Sequence, residues 1–543
     1  MKKDVTITPF NEVKCQVEFS SSEVKKTVRE WFSYYADGYQ FSPKYKQGFW
    51  DGKISFFDRY GLFYSGLIKS LVKKCKENNL SVQVNDIDRF KPDANVITDT
   101  VEPYANLVRF APYDYQKESV MKALRLKKLL ILSATSSGKS CVIYMLYRYC
   151  IENNLKLLIT VPNVSLVEQL FSDFKDYVSD DHNVDDYVAM WHAKTEKVKK
   201  QVIISTWQTL SKQKEILLDF DFYICDEAHS AKAEEITNII DGLENCKYRI
   251  GLTGTLNGSE MHEIDMIARF GDIHKSVTAR QLIDMGLISD LEIHIHRLKY
   301  SESERKAYKG IVGVKKNQKY QREIDYILTS DNRNKYIIDL ALNLPNNTIM
   351  LFNRVDAHAD ILHDKVKEVA KAYFKNVFFI SGKINAKERE YIRKKMDDEL
   401  PKFYVVHKDN EKIIFDESEW ESEKSKYNDF EEVIGSNILM GTYGTISTGI
   451  NIKQLHNLIF CHPLKSKITT LQSIGRILRK ANGKSMVHLY DLADDFRLKS
   501  NSAFNYSLKH SSDRIEIYEE QEFDYDITEI NLDNYHINSV IHK

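Results

Sequence analysis

The stretch LLILSATSSGKSCVIYMLYRY, residues 129–149, joins an apolar run to a helical run through a loop of small polar residues. Such a loop lets successive backbone N–H groups and a helix N-terminus converge on one point, which is the arrangement that holds a phosphate group. Lys139 would reach the β- and γ-phosphates of a nucleotide, and the Ser140 hydroxyl would bind Mg²⁺. The stretch therefore predicts a nucleotide site, whose binding residues are Ser136, Ser137, Gly138, Lys139 and Ser140.

The loop departs from the usual phosphate-loop pattern at one position, because Ser133 stands where the first glycine is expected. A Gly-Lys-Ser turn also arises by chance in unrelated proteins. The apolar run before the loop and the helical run 141–149 after it make chance the weaker explanation.

Short apolar runs alternate with longer helical stretches along most of the chain, which is typical of parallel sheets covered by helices. The runs form two sets, each sufficient for one doubly wound domain. Because ligands of such sheets bind at the carboxyl ends of the strands, the residues that follow each run are candidates for chemistry. The first set is 129–133, 157–161, 202–205, 222–225 and 248–252, and the second is 349–352, 377–380, 438–440, 458–460 and 486–490.

A chain of 543 residues exceeds the size of one compact core, so about three domains are expected from the usual ~150 residues each. Shifts in composition set the predicted boundaries. These give an N-terminal domain rich in aromatic and basic residues, 1–95; a first lobe, 96–298; a helical connector, 299–343; a second lobe, 344–500, with an insertion at 397–435 that contains a possible hairpin; and an acidic C-terminal extension, 501–543.

The composition favours a globular protein over a membrane or secreted one. Hydrophobic residues make up 43% and charged residues 29%, as in folded soluble proteins, and no apolar run is long enough to span a bilayer. The polar N-terminus lacks the pattern of a signal peptide, so we expect a cytoplasmic protein, in the host cytosol if it is phage-encoded. A net charge of −1 means that any binding to nucleic acid requires local basic patches.

The seven cysteines are dispersed and include no C-x-x-C pair. This spacing argues against both a zinc site and a disulfide framework. It predicts buried free thiols at Cys15, Cys75, Cys141, Cys150, Cys225, Cys246 and Cys461.

A second polar cluster, Asp226-Glu227-Ala228-His229, directly follows the apolar run 222–225. At a strand tip beside a phosphate loop, Asp226 would hold Mg²⁺ and Glu227 would orient the attacking water. The same tetrapeptide is more often a solvated helix start when it stands alone. Its position at a predicted strand end favours a site that hydrolyses a nucleotide.

The motifs between Tyr113 and Asp495 resemble those of the superfamily 2 helicases, and within that superfamily they are most similar to the UvsW type of bacteriophage recombination helicase. The resemblance implies two tandem RecA-like doubly wound parallel-sheet lobes with a small α+β N-terminal domain, and ATP and Mg²⁺ as cofactors. It implies that Gln116 reads the adenine base and that Thr253 contacts the nucleotide and links hydrolysis to movement. The implied nucleic-acid contacts of the first lobe are Pro162, Asn163, Thr206, Trp207 and Gln208, although helix caps and turns use the same residue types.

The stretch QSIGRILR, residues 472–479, is the most diagnostic element of the second set. On a helix, positions 472, 476 and 479 share one face, so both arginines would point the same way. Guanidinium forks suit a γ-phosphate whose charge spreads in the transition state, and arginines from a second lobe would let hydrolysis sense lobe closure. Arg476 and Arg479 are therefore catalytic candidates and Gln472 a nucleotide contact, with an ordinary basic helix face as the alternative.

The resemblance also implies contacts from other loops of the second lobe. Residues 441–451 look like its loop for nucleic acid and nucleotide, with Gly449 on the nucleotide and Asn451 where many relatives carry aspartate. Lys465 would contact a phosphate, although surface lysines are usually only solvated. The remaining implied nucleic-acid contacts are Asn353, Arg354, Gly382, Thr442 and Thr445.

The N-terminal segment 31–57 interleaves aromatic residues with lysines. Such a surface stacks on exposed bases while its lysines hold phosphates, and Trp50 and Lys53 are the candidate contacts. The resemblance implies that this domain recognises branched or duplex DNA. The alternative is that most of these aromatics form the core of a small domain, and both uses can hold for different residues.

The leading hypothesis is an ATP-dependent DNA helicase or translocase that unwinds or remodels branched DNA, such as forks, crossovers and R-loops, in recombination, repair or replication restart. Its partners would be single-stranded and branched DNA, with an RNA:DNA hybrid as a further candidate and no membrane. The alternatives are an RNA helicase, a nucleotide-gated binding or annealing module without productive unwinding, and the motor subunit of a restriction complex. The intact set Lys139, Ser140, Asp226, Glu227, Arg476 and Arg479 argues against the binding module.

Overall fold

The computed structural model describes residues 3–193, 195–211, 213–230, 233–256, 258–312, 318–381, 384, 386–408, 411–447, 452–499, 502–533 and 535. The chain divides into two compact units, residues 1–278 and 279–543. The first unit contains a small α+β domain and one parallel-sheet lobe, and the second contains another parallel-sheet lobe. The predicted fold class is confirmed.

The N-terminal domain is built on a four-stranded sheet of order β5-β2-β1-β6, in which β1 runs antiparallel to β2 and parallel to β6. Its elements are β1 Val5–Pro9, β2 Lys14–Phe19, α1 Ser22–Trp31, β3 Ser33–Tyr35, α2 Pro43–Lys46, β4 Lys53–Ser55, β5 Leu62–Tyr64, α3 Ile68–Glu77 and β6 Val82–Val84. Alternate side chains of β1 and β2 are buried against Val28 of α1 and Leu71 of α3, as expected for a sheet with one covered face.

The first lobe has a seven-stranded sheet of order β13-β7-β12-β11-β8-β10-β9, and all its pairings are parallel. Its elements are α4 Glu102–Ala105, α5 Asp114–Leu126, β7 Lys128–Leu132, α6 Lys139–Glu152, β8 Leu157–Val161, α7 Val164–Tyr177, α8 Val184–Tyr187, β9 Val188–Trp191, β10 Val202–Thr206, α9 Trp207–Leu210, α10 Lys214–Leu217, β11 Phe222–Cys225, α11 Ala233–Gly242, β12 Tyr248–Thr253, α12 Glu260–Phe270 and β13 Asp272–Lys275. Strands β8, β10 and β11 are buried along their whole length, because helices cover both faces of a parallel sheet.

The N-terminal domain is joined to the first lobe by a buried cation. Arg249 of β12 is fully buried, and its guanidinium donates hydrogen bonds to the Glu12 carbonyl oxygen at 2.8 Å and to the Ser65 hydroxyl at 3.1 Å. Gly66 lies so close to α12 that an added Cβ would stand 2.2 Å from the carbonyl oxygen of Ile267. These contacts hold the domain and the lobe together as one unit.

The second lobe also has seven parallel strands, in the order β16-β20-β15-β21-β22-β14-β23. Its elements are α13 Ala279–Asp284, β14 Asp290–Lys299, α14 Glu302–Val312, α15 Lys319–Thr329, α16 Asp331–Asn343, β15 Thr348–Phe352, α17 Asp360–Ala370, β16 Lys375–Ile380, α18 Ala386–Asp397, β17 Lys402–Lys408, β18 Glu411–Asp416, α19 Glu417–Glu423, β19 Glu431–Ile434, β20 Ser436–Thr442, α20 Tyr443–Ser447, β21 Asn457–Phe460, α21 Lys467–Ile477, β22 Met486–Asp495, α22 Tyr506–Glu520 and β23 Asp524–Asn531. A π-helical turn, Val355–Ala359, precedes α17.

The second lobe includes two segments that the sequence analysis assigned to other parts of the chain. β14, which was included in the first lobe, pairs with β22 over its full length, and the acidic C-terminal segment supplies α22 and the edge strand β23. β14 alternates buried and exposed side chains, so it lacks the continuous apolar run that revealed the inner strands.

The insertion forms a small antiparallel sheet of order β18-β17-β19, and β17 and β18 are the hairpin predicted from the sequence. Trp420 of α19 is buried, and its ring stacks on Tyr404 at a centroid distance of 4.8 Å. The insertion therefore has a core of its own.

The seven cysteines are free and buried, as predicted. Among the described residues, no helix is both long and apolar enough to cross a membrane.

Candidate active site

The phosphate loop connects the end of β7 to the start of α6. Gly138 precedes α6 with a φ of +75°, and Ser136 also has a left-handed φ, of +68°. The hydroxyl of Ser133, the residue that replaces the usual glycine, donates to the Ser137 hydroxyl across the loop at 2.7 Å. The serine at position 133 thus supplies an internal hydrogen bond that a glycine could not make.

Gln116 of α5 forms hydrogen bonds that hold the phosphate loop in place. Its amide nitrogen donates to the Ser137 carbonyl oxygen at 2.9 Å, and its amide oxygen accepts from the Tyr113 N–H at 2.9 Å. A Cβ at Gly138 would stand 2.4 Å from the Gln116 amide nitrogen, which explains the glycine there. Both ends of the buried Gln116 amide are bonded to the protein, so in this structure Gln116 holds the phosphate loop, whereas the sequence analysis expected it to read the adenine base. The neighbouring Tyr113 ring is 48% exposed and was not among the predicted residues.

Lys139 brings the loop and the tip of β11 together. Its amine lies 3.9 Å from a Glu227 carboxylate oxygen and 3.5 Å from the Ser133 carbonyl oxygen. Burial and the neighbouring Glu227 carboxylate raise the pKa of Asp226 above its usual range. A bound cation would relieve this penalty on the charged form.

The residues predicted to bind Mg²⁺ provide hard oxygen donors, which is the ligand type that this ion prefers. These are the Asp226 carboxylate and the Ser140 hydroxyl. The Ser140 hydroxyl shares a 2.7 Å hydrogen bond with the Tyr177 hydroxyl, a contact that the sequence did not reveal because Tyr177 ends a different helix, α7. Donor chemistry and the raised pKa of Asp226 together fit a divalent cation.

His229 connects the tip of β11 to the end of β12. One ring nitrogen lies 2.5 Å from the Thr253 hydroxyl, and the other lies 2.8 Å from the Ser230 hydroxyl. The Thr253 carbonyl oxygen in turn accepts from the Ser133 N–H of the phosphate loop at 2.9 Å. Burial lowers the pKa of His229, so its ring is neutral at pH 7 and serves as a hydrogen-bonding link. Thr253 is itself fully buried and acts in this chain of contacts.

The strand-tip loops of the first lobe use several predicted contact residues for their own structure. Asn163 caps α7 by accepting from the Leu166 N–H at 3.0 Å, and the Thr206 hydroxyl bonds to that of Thr209 at 3.0 Å. The Trp207 ring is buried in the core, so it presents no face to a ligand here, whereas the Gln208 side chain is exposed. Pro162, directly after β8, is half-buried.

Helix α21 of the second lobe carries Gln472 and Arg476 but ends at Ile477. Arg479 lies in the turn beyond it, so the predicted common face holds for positions 472 and 476 and not for 479. At this helix end the buried Lys484 donates from its amine to the carbonyl oxygens of Ile477 at 2.6 Å and Arg479 at 2.9 Å. Such a side chain satisfies carbonyl groups that have no partner within the helix. Burial lowers the pKa of Lys484 to about 7.

The other predicted residues of this lobe lie at loop ends. The Thr442 and Thr445 hydroxyls are 2.7 Å apart at the start of α20, and Arg354, after β15, pairs with Asp325 at 2.8 Å. Asn353 and Lys465 are exposed. The predicted residues Gly382 and Gly449, and with them 448–451, lie outside the described residues.

The aromatic residues of the N-terminal domain divide into two groups. Phe32, Phe56, Phe57 and Phe63 are buried in its core. An aromatic patch, which we define as Tyr35, Phe41, Tyr45 and Phe49 of the segment 35–49, is exposed, with Phe49 at 81% and Phe41 at 73%.

The two predicted contacts lie beside this patch. The Lys53 amine lies 5.3 Å from the centre of the Tyr35 ring, and the Trp50 indole N–H donates to the Lys53 carbonyl oxygen at 2.8 Å. Trp50 thereby shapes the turn that presents Lys53. The aromatic residues of this domain are therefore divided between its core and its surface.

Comparison with known sequences gives matches in both parts of the first unit. The family model described as "DNA helicase UvsW, N-terminal" matches residues 4–85, and the one described as "Type III restriction enzyme, res subunit" matches residues 109–258. The chain is 31% identical to the ATP-dependent DNA helicase uvsW of Enterobacteria phage T4, over 96% of this chain and 98% of that protein.

Two solved structures also align with the chain. The crystal structure of T4 UvsW aligns over 97% of this chain and 100% of its own, with 27% identity and a TM-score of 0.47. An HsdR subunit of a type I restriction enzyme from Vibrio vulnificus aligns over 82% of this chain and 73% of its own, with 16% identity and a TM-score of 0.51. The second likeness is one of fold.

Proposed function

The chain belongs to the UvsW family of superfamily 2 DNA helicases, and on this premise we propose that it uses ATP hydrolysis to unwind or remodel branched DNA, such as forks, crossovers and R-loops. ATP-dependent helicase activity follows from the family. The observation that best supports the proposal for this chain is the convergence of Lys139, Glu227 and the phosphate loop at the carboxyl edge of the first sheet.

The chemistry proposed for the first lobe follows from these positions. Lys139 binds the β- and γ-phosphates, and Glu227 orients the attacking water and takes its proton. Mg²⁺, held by Ser140 and Asp226, neutralises phosphate charge when it is bound. The His229–Thr253 contact connects the Glu227 segment to the phosphate loop, so a change at the nucleotide is passed to the end of β12.

The second lobe is proposed to contribute Arg476, whose planar guanidinium stabilises charge on the γ-phosphate in the transition state. Arg479 lies beyond the end of α21, where its carbonyl oxygen accepts from Lys484, and it is proposed as a secondary contact. Gln472 lies one helical turn before Arg476 on α21.

The proposed DNA surface of the first unit is the aromatic patch of the N-terminal domain together with Lys53. Exposed aromatic rings stack on bases, which branched DNA leaves unpaired near the junction, while lysines hold the adjacent phosphates. The strand-tip loops add polar groups that suit backbone phosphates, including the exposed Gln208 and Lys465 of the two lobes.

The proposal is tested by steady-state ATP hydrolysis with Mg²⁺, alone and with single-stranded DNA, duplex, a model fork, a four-way junction, an RNA:DNA hybrid and RNA, at one stated salt concentration. We expect the forked or four-way DNA to give the largest stimulation. Largest stimulation by RNA would assign the chain to an RNA track, and no stimulation by any nucleic acid would leave a nucleotide-gated binding module.

A further inference from the structure

Three side chains with metal-binding donors meet on one face of the second lobe's sheet. His294 Nε2 lies 3.2 Å from His488 Nδ1, and a Glu292 carboxylate oxygen lies 3.3 Å from His488 Nδ1 and 3.9 Å from His294 Nε2. Glu292 and His294 belong to β14, and His488 belongs to the neighbouring β22. Glu292 lies opposite His488 in the parallel register and His294 is two residues further, so all three side chains emerge on the same face.

The spacing of the three donor atoms suits a tetrahedral metal ion. Bonds of about 2.0–2.1 Å at a tetrahedral angle place ligand atoms about 3.3 Å apart. Two of the three separations already have this value, and the Glu292 side chain, which is 50% exposed, is free to rotate and close the third. Two imidazoles and a carboxylate form a donor set that binds Zn²⁺ with a fourth position open to water, whereas Mg²⁺ prefers oxygen ligands alone.

A second carboxylate, that of Asp526, orients the His294 ring as a metal ligand. His294 Nδ1 lies 2.6 Å from a carboxylate oxygen of Asp526, on the edge strand β23. The carboxylate fixes the tautomer in which Nδ1 carries the hydrogen, which leaves the Nε2 lone pair directed at His488 and Glu292. Histidine ligands of zinc are oriented in this way by carboxylates that do not themselves touch the metal.

We infer that Glu292, His294 and His488 form a Zn²⁺ site, with Asp526 as the positioning residue, that fastens the C-terminal strand to the sheet. The sequence analysis argued against a zinc site from the spacing of the cysteines, and that argument does not reach this donor set, because it contains no thiolate. None of the four residues belongs to the proposed ATP or DNA contacts.

A metal ion at this site would stabilise the attachment of the edge strand β23 to the sheet. β23 has the sequence DYDITEIN, and all but one of its eight side chains are exposed, so few apolar contacts hold it against β14. A zinc ion that orders His294 also orders the hydrogen bond to Asp526, and so adds a side-chain connection to the backbone ladder of β14 and β23.

The site is tested on the full-length protein, freed of metal by chelation and titrated with Zn²⁺ by calorimetry. We expect one Zn²⁺ per chain, with at least 100-fold weaker binding for His294→Ala and for His488→Ala, and a 10- to 100-fold loss for Asp526→Asn. Co²⁺, used in place of Zn²⁺, should give the intense visible absorption of a tetrahedral site. The control is His407→Ala, which removes an exposed histidine of the insertion and should bind as the wild type does.

A second measurement separates zinc binding from folding. Amide hydrogen exchange in β23 should slow on addition of Zn²⁺ in the wild type and remain unchanged in His488→Gln, and ATP hydrolysis with Mg²⁺ should be equal in the two proteins. Zn²⁺ binding that is equally tight in the wild type and in the His294→Ala, His488→Ala double variant would overturn the site. Zinc-independent exchange in β23 of the wild type would overturn its role as a fastening.

Discussion

The two lobes contain the same seven-stranded parallel sheet but use buried polar side chains differently. At the carboxyl edge of the first lobe, neutral groups such as Gln116 and His229 hydrogen-bond the loops, and the buried cation Arg249 lies at the other end of β12. In the second, fully buried ion pairs hold helices to β22, with Arg333 2.7 Å from Asp494 and Arg514 2.6 Å from Asp491.

The two kinds of buried contact suit different functions of the two lobes. Neutral groups around a loop can replace their hydrogen bonds with contacts to a ligand, and no buried charge is left without a partner. A buried ion pair cannot lose one partner without leaving the other charge uncompensated, so it suits a joint that stays closed. The first lobe therefore has an adaptable edge, and the second has a fixed attachment of α22, which the sequence analysis placed in an acidic C-terminal extension.

The largest expected effect is that of Glu227→Gln, at the carboxyl edge of the first lobe's sheet. Loss of the base that takes a proton from water should reduce the rate of ATP hydrolysis on the order of 10³–10⁴-fold, while the neutral amide leaves ATP binding measurable. The measurement is single-turnover hydrolysis alongside ATP affinity. Glu263→Gln, on the exposed side of α12, is the matched control and should hydrolyse at the normal rate. Normal hydrolysis by Glu227→Gln would remove Glu227 from the proposed role.

The next test asks whether the second lobe contributes to hydrolysis as well as to stability. Arg476→Ala should slow hydrolysis by about 10³-fold with nearly unchanged ATP affinity, because a transition-state contact is lost. Arg476→Lys keeps the charge but not the planar fork, so it should recover only part of the rate. A variant with a lowered melting temperature and an unchanged rate would instead show that Arg476 is structural.

The fixed attachment is tested by Arg514→Ala, which leaves Asp491 buried without its cation. We expect the second unit to lose about 3–5 kcal/mol of stability, seen as a lowered melting temperature. ATP binding by the first unit should be retained. Lys306→Ala removes an exposed ion pair with Glu302 and should change stability by at most about 1 kcal/mol. Equal effects of the two substitutions would contradict the contrast between the lobes.

The smallest expected effect concerns the N-terminal domain. Phe49→Ala should weaken binding to a forked DNA by about 1–3 kcal/mol, because a stacking ring is lost, and should leave basal ATP hydrolysis unchanged. Phe10→Ala removes another exposed phenylalanine of the same domain, from the turn between β1 and β2, and should bind as the wild type does. Point substitutions are preferable to deleting residues 1–95, since deletion would leave the buried Arg249 without two of its hydrogen-bond acceptors. Fork binding that Phe49→Ala leaves intact would argue against the aromatic patch.

The inner strands and the phosphate loop could be predicted from the sequence because their signals are local. A fully buried strand is a continuous apolar run, and the loop follows one directly, as at residues 129–140. The outer strands β13, β14 and β23 were not predicted, because their exposed side chains interrupt any such run. Strand β9 was also missed, although its four residues are apolar.

Contacts that depend on tertiary structure could not be predicted in the same way. The role of Gln116 under the phosphate loop, the hydrogen bond between Tyr177 and Ser140, and the end of α21 at Lys484 each join residues that are distant in sequence or need an exact helix boundary. The meeting of His294 and His488 likewise depends on the pairing of β14 with β22, which no local pattern indicates.

Gly66 has a consequence for how this protein evolves. Because a side chain at position 66 would collide with the carbonyl oxygen at the end of α12, any relative that carries a larger residue there must also have a shorter or displaced α12. The atoms that such a side chain would meet belong to the backbone of residues 267 and 268, so glycine at position 66 constrains the path of α12 and not the side chains at those two positions. An N-terminal domain from another protein would fit against this lobe only if it offered a residue without a side chain at this contact and acceptors for Arg249.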